Sequence, residues 1–135
     1  MIARKGSHSV FSVRLHFVFV THYRRKVITA LMLERLQEMF MQVCRKMDCE
    51  LLEFSGEADH IHALLDFHPK NSISAVAGSL KSASARTMKK DFPEEVAKFY
   101  KGVSFWSGSY YVASTGGAPI EKLKEYIKNQ DKPKD

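Results

Sequence analysis

Across residues 10–20 the odd positions Phe11, Val13, Leu15, Phe17 and Phe19 are apolar, while the even ones include Ser12, Arg14 and His16. That period of two predicts one long, half-buried strand. After the polar connector Thr21-His22-Tyr23-Arg24-Arg25-Lys26 the period lengthens. Met32, Leu36, Met39, Val43 and Met47 recur every three or four residues, with Leu33, Phe40 and Cys44 widening the stripe. This predicts a helix over residues 29–46. Residues 51–55 and 60–67 read as two further strands joined by the tight connection Gly56-Glu57-Ala58-Asp59. Pro69, which has no amide hydrogen for a ladder, stops the second of them. Asn71 or Ser72 can cap the next helix, which runs to about Lys90. Its inner stripe is Ile73, Val76, Ala77, Leu80, Ser84 and Met88. Pro93 opens a short helical turn to Tyr100, and an aromatic-rich strand is expected over residues 103–114. Gly116-Gly117 breaks the chain before a last helix over residues 118–130.

The order is strand, helix, strand, strand, helix, strand, helix. The first six elements match the split βαβ order of ferredoxin-like and RRM-like folds. The expectation is an α+β domain with a four-stranded antiparallel sheet, two helices on one face, and an added C-terminal helix.

Composition sharpens this. A chain of 135 residues, 44% hydrophobic and 27% charged, is expected to form one globular domain over residues 1–135. Nothing approaches the ~18 consecutive apolar residues of a membrane span, and no signal-like run follows the basic N-terminus. Two cysteines, Cys44 and Cys49, are too few for a disulfide framework, which points to a reducing, cytoplasmic setting. The net charge of +6 raises nucleic acid as a partner.

Two groups of residues carry candidate chemistry. On the third strand, His60 and His62 are two apart and share a face, while Ile61 points the other way with Ala63, Leu65 and Phe67. The histidine face is therefore expected to be the open one, and two imidazoles about 7 Å apart can converge on one ion. Asp59 reads most simply as a turn residue. On the last helix Ile120, Leu123 and Ile127 make the apolar stripe, with Tyr126 at its edge. Lys122 lies one turn before Tyr126 and Gln130 one turn after it. Taken singly, these residues read as surface histidines, a packing tyrosine and helix-end solvation.

Together they carry a resemblance. His60-Ile61-His62 resembles the HUH signature, two histidines around a bulky apolar residue. Tyr126 with Gln130 resembles the nucleophile helix of the small single-tyrosine transposases of bacterial and archaeal insertion sequences, the IS200-like family. The likeness covers nearly the whole chain. Arg14-Leu15-His16-Phe17-Val18-Phe19-Val20 and Tyr23-Arg24-Arg25-Lys26 resemble the family's opening. Leu80-Lys81-Ser82-Ala83-Ser84-Ala85-Arg86 resembles its second helix, and Phe105-Trp106-Ser107-Gly108-Ser109-Tyr110-Tyr111 the stretch before the nucleophile. Where many relatives carry Met-Pro before the Asp-His pair, this chain has Glu57-Ala58, which changes a turn and not a ligand.

The resemblance implies that His60, His62 and Gln130 hold a divalent metal, Mg²⁺ or Mn²⁺. It implies that Tyr126 attacks a phosphodiester of single-stranded DNA, keeps a 5′-phosphotyrosine and releases a 3′-hydroxyl. It further implies a homodimer, in which the tyrosine helix of one subunit often completes the site of the other, and hairpins at the element ends as recognition marks. No nucleotide cofactor and no membrane are involved, and the setting would be cytoplasmic and nucleoid-associated. A phenol with pKa near ~10 needs activation at neutral pH, and the charge of Lys122 can supply some. Arg24, Arg25, Lys26, Lys81, Arg86 and Lys89 are candidate phosphate contacts. Phe105, Trp106, Tyr110 and Tyr111 either stack bases or, the favoured reading, belong to core and dimer surface. Gly116-Gly117 is a hinge or a plain turn. Three other functions fit the same fold: a non-catalytic single-strand-binding module, a domesticated repeat-processing relative, and a metal enzyme of small molecules.

Overall fold

A computed structural model of the chain describes residues 4–5, 10–114, 125–126 and 128–129. Among these, β1 (Arg4–Lys5) and β2 (Val10–Phe11) pair as a small antiparallel ribbon. β3 (Arg14–Val20), β4 (Glu50–Gly56), β5 (His60–Asp66) and β6 (Tyr111–Ser114) form the main sheet, in the order β4-β5-β3-β6 and antiparallel throughout. The helices are α1 (Ala30–Lys46), α2 (Ile73–Asp91) and the short α3 (Pro93–Ala97). The expected ferredoxin-like α+β architecture is thus present. The strand expected over residues 10–20 is two elements, because Val10 and Phe11 pair with β1 while β3 pairs with β5 and β6.

The helix starts follow from their caps. The Thr29 hydroxyl accepts from the Met32 amide at 3.2 Å, and the Ser72 hydroxyl from the Ala75 amide at 3.1 Å. Each satisfies an amide that the helix cannot pair internally. α1 buries Met32, Leu36, Phe40, Val43 and Cys44 against the sheet. Phe40 meets Phe19 edge-on at 5.7 Å and Phe54 at 5.3 Å. α2 buries Val76, Ala77, Leu80, Ser84 and Met88, as its stripe predicts, while Ile73 at its start is exposed. Burying each large apolar side chain stabilises the fold by roughly 1.5–3 kcal/mol, so this layer fixes which sheet face is the core. It is the face of Leu15, Phe17, Phe19, Ile61, Ala63 and Leu65, all buried.

Two irregularities matter for the site. Leu51 pairs with Leu65 but Glu53 pairs with Leu64, so Leu52 is an extra residue, a β-bulge. Leu51 and Phe54 are three apart, which in a regular strand puts them on opposite faces. The bulge lets both face the core, and turns Glu53 and Ser55 to the opposite face. The second irregularity shortens the expected strand over 103–114. Thr21 bridges to Trp106, and Val18 pairs with Tyr111. Five steps on one side face three on the other, so the chain around Gly108 leaves the ladder. Phe105 and Trp106 are buried in the core, and the Trp106 indole donates to the Ser84 hydroxyl at 2.9 Å.

Candidate active site

β5 delivers His60 and His62 to the sheet face opposite the helices, since the intervening Ile61 is buried in the core. Their rings meet edge to face with centroids 5.0 Å apart. The face is less open than its pattern suggests. His60 is 8% exposed and Val18 and Val20, on the same side, are fully buried. Apolar residues at even positions of β3 make this side a partly covered floor.

Each histidine has its Nδ1 engaged. His60 Nδ1 lies 2.7 Å from Asp59 Oδ1. Asp59 Oδ2 accepts from Arg24 Nε at 2.9 Å. Burial alone would raise the Asp59 carboxyl, but the hydrogen bonds from His60 and Arg24, with their charges, more than offset it and hold the group below the usual carboxylate range. His62 Nδ1 lies 3.2 Å from His16 Nε2, and the two rings stack at 5.2 Å with 21° between planes. Burial lowers the His62 pKa to about 4, helped by the charges of His60 and His16. His16 is also lowered by burial, against the opposing charge of Glu53. Both rings are thus neutral at pH 7, the state in which an imidazole can ligate.

Arg24 reaches Asp59 from a strained turn. Tyr23 and Arg24 both have φ of 54°, in the left-handed region that residues with a side chain rarely adopt. Their surroundings hold them there. The Arg24 amide donates to Thr21 O at 2.8 Å, and the Tyr100 hydroxyl donates to His22 O at 2.6 Å. The Thr21 amide and Asp59 O, 3.0 Å apart, tie this turn to the start of β5. Strain of this kind concentrates where a side chain must be aimed.

Glu57, Asp59 and His60 each offer a ligand atom, all within 4.8 Å of one another, with Glu57 Oε2 at 3.8 Å from His60 Nε2. Imidazole nitrogen with carboxylate oxygens makes a donor set that suits a divalent cation. Cys44 and Cys49 are buried elsewhere in the core. Beside His62, a cavity of about 290 Å³ is lined by His16, Glu53, Ser55 and Leu64.

Tyr126 packs against a residue of this face. Val18 pairs with His62 on one side and Tyr111 on the other, so His62 and Tyr111 flank it on the same face. The Tyr126 ring packs 5.6 Å from Tyr111, and its hydroxyl lies 3.0 Å from Ser109 Oγ. Burial pushes its pKa above the ordinary phenol value, and the Ser109 hydrogen bond offsets part of this. Gln130, Lys122 and Gly116-Gly117 lie outside the described residues. Of the candidate phosphate contacts, Arg24 is engaged with Asp59, and Lys81 donates to Ser107 O at 2.7 Å. Arg25, Lys26, Arg86 and Lys89 are exposed. His16, Asp59, Glu57, Ser109 and Tyr111 are the members that sequence reading missed. For Asp59 a signal existed, an acidic residue directly before the histidine pair.

The model of the IS200-like transposases matches residues 9–130. The chain belongs to the IS200-like transposase family. The chain is 32% identical over 124 residues to the transposase for insertion sequence element IS200 of Salmonella typhimurium, covering 92% of this chain and 80% of that one. It is 25% identical over 127 residues to the ISDra2 transposase TnpA of Deinococcus radiodurans, covering 94% and 90%. Among solved structures, one described as a transposase from Deinococcus radiodurans superposes with a TM-score of 0.85 at 28% identity, over 94% of this chain and 97% of that one. A REP-associated tyrosine transposase bound to a REP hairpin shares the fold, with a TM-score of 0.56 at 11% identity over 92% and 68%. As an IS200-like transposase the chain is an enzyme, and the residues gathered on its histidine face are the candidate machinery. No helix among the described residues is long and apolar enough to cross a membrane.

Proposed function

We propose that this IS200-like transposase cuts and rejoins single-stranded DNA at the ends of an insertion sequence, using Tyr126 as nucleophile. The observation that supports the reading is the His60–His62 pair, each Nδ1 engaged by a neighbour, on the same sheet face as Tyr111, against which the Tyr126 ring packs. Residues 1–135 act in it as one HUH nuclease domain, with residues 118–130 as the nucleophile helix.

The Tyr126 oxygen attacks the scissile phosphorus as its proton leaves. A P–O bond forms to the tyrosine, the P–O3′ bond breaks, and the released 3′ oxygen takes a proton. The product is a 5′-phosphotyrosine and a free 3′-hydroxyl. In the second half a 3′-hydroxyl from another strand attacks the same phosphorus, and the phenol leaves with its proton restored. A phenoxide is a better leaving group than an alkoxide, so the second half needs no nucleotide. Lys122 is placed by sequence one turn from Tyr126 to favour the ionised phenol. His60, His62 and Gln130 would hold the divalent ion. When bound, that ion supplies charge to a non-bridging phosphate oxygen and to the departing 3′ oxygen. Gln130, being neutral, can ligate but cannot serve as a base.

The DNA partner is single-stranded, with hairpins near the element ends, and the working unit is a homodimer. The DNA partner is supported by a relative named as the transposase of an insertion sequence and by a structural neighbour bound to a hairpin, while the homodimer follows from the family resemblance alone. The test is incubation with end-derived single-stranded DNA and Mn²⁺. A protein–DNA adduct on a denaturing gel, mapping to the peptide with Tyr126 and absent in Tyr126→Phe, is the expected result. Retained DNA binding without any adduct in the wild type would make the chain a binding module instead.

A further inference from the structure

The strand register places one more side chain against the proposed metal ligands. Val18 pairs with His62 and His16 with Leu64, so His16 and His62 are diagonal neighbours across β3 and β5 on the same face. Their facing atoms are His16 Nε2 and His62 Nδ1, 3.2 Å apart. We propose that His16 is a positioning residue that accepts the Nδ1 proton of His62, and so fixes Nε2 of His62 as the nitrogen that faces the ion. This rests on the reading that His60 and His62 hold a divalent metal.

The chemistry leaves two arrangements for the pair. A neutral imidazole carries one proton, on one nitrogen. If His16 Nε2 is the donor, His62 carries its own proton on Nε2, and its remaining lone pair is spent on His16. That ring has no nitrogen for a metal. If His62 Nδ1 is the donor, Nε2 is a free lone pair. His60 sets the precedent one pleat away. Its Nδ1 faces the Asp59 carboxylate, which can only accept, so the proton sits on Nδ1 and Nε2 is free. The second arrangement at His62 gives both rings the same polarity. It uses a carboxylate behind one ligand and an imidazole behind the other, each fixing tautomer and ring angle. The near-parallel stacking of His16 on His62 restricts ring rotation further. With its Nε2 accepting, His16 keeps its own proton on Nδ1. Glu53 and Ser55, which line the adjoining cavity, supply oxygen atoms on that side of the sheet.

The test begins with the metal-free wild-type protein labelled with ¹⁵N-histidine. Long-range ¹H–¹⁵N spectra report which ring nitrogen is protonated. His62 is expected as the Nδ1–H form and His16 as an acceptor at Nε2. A wild-type His62 protonated on Nε2 overturns the proposal without any variant. Calorimetric titration with Mn²⁺ follows. His16→Phe removes the acceptor and is expected to weaken binding roughly 10–100-fold, the usual effect of losing such a partner. His16→Gln, whose Oε1 can accept in place of Nε2, should recover affinity to within a few-fold of wild type. A merely structural role predicts no such rescue. Wild-type affinity in His16→Phe refutes the role of His16. His62→Ala separates the two layers. If it binds Mn²⁺ as well as the wild type does, the metal reading itself fails and the role of His16 fails with it. If it loses Mn²⁺ while His16→Phe does not, only the role of His16 fails.

Discussion

One oxygen of the Asp59 carboxylate lies 2.7 Å from His60 Nδ1, while the other is held by Arg24 at 2.9 Å. The pair fixes the ring of His60 from behind. Asp59→Ala is therefore expected to lower Mn²⁺ affinity roughly 10–100-fold and to leave the Arg24 guanidinium without this partner. Asp59→Asn keeps an oxygen acceptor and should lose less. Titration calorimetry on both variants checks the order, and equal affinity in all three proteins would contradict it.

Ser109 touches the proposed nucleophile. Its hydroxyl lies 3.0 Å from the Tyr126 hydroxyl and offsets part of the upward shift that burial imposes on the phenol. Ser109→Ala removes that help. With a net hydrogen bond worth ~1 kcal/mol, cleavage at neutral pH should fall about fivefold. The ratio should hold nearly constant below pH 10, because the phenol of both proteins is raised above its ordinary value and both rates climb together. Equal cleavage rates for wild type and Ser109→Ala at pH 7 would argue against the contact.

Gly56 ends β4 where two strands crowd together. A Cβ there would lie 2.7 Å from the His60 carbonyl oxygen and 2.8 Å from the Ile61 side chain. Backbone cannot yield as a flexible side chain can, so Gly56→Ala should destabilise the fold by roughly 1–3 kcal/mol. The strain falls on the peptide that carries His60. Denaturant unfolding and Mn²⁺ titration should therefore move together, whereas Gly78→Ala, in open space on α2, should leave both near wild type.

Alkaline stability follows from two buried acids. Burial pushes the Cys44 thiol up to about 12, with Cys49 adding to it, and burial likewise raises Tyr100 to about 12. Unfolded, these groups release protons near ~8.5 and ~10. Between those values and 12 the folded state binds more protons than the unfolded one. Stability is thus fully present below about pH 8.5 and declines toward pH 12. Tyr100→Phe should flatten the decline above pH 10, while lowering stability at pH 7 through loss of its hydrogen bond to His22 O. Unfolding free energies at pH 7, 9 and 11 test both parts.

The element order and the core face were legible because periods of two and of 3.6 are written in adjacent residues. The separation of His60 and His62 from Ile61 needed nothing more than strand alternation. The role of His16 was not legible. It reads as one polar position among several on β3, and only the pairing of Val18 with His62 brings it within reach. Asp59 read as a turn residue for a sound reason, since it does precede a strand, and its side chain does a second job there. The short β6 escaped notice because the aromatics of residues 105–111 look like a continuous strand. Phe105 and Trp106 instead turn into the core, and the two residues too many are taken up around Gly108.

The bulge in β4 makes that strand unequally forgiving of genetic loss. Leu52 is the one residue there without a counterpart on β5, so deleting it closes the pairing into a regular alternation and keeps Phe54 inward and Ser55 beside His62. Deleting Leu51 gives the same chain, and deleting Glu53 lets Leu52 take its place opposite Leu64, whereas deleting Phe54 puts a polar neighbour opposite Ala63 in the core. In-frame codon deletions should therefore survive over residues 51–53, where the chain carries a spare, and fail at Phe54.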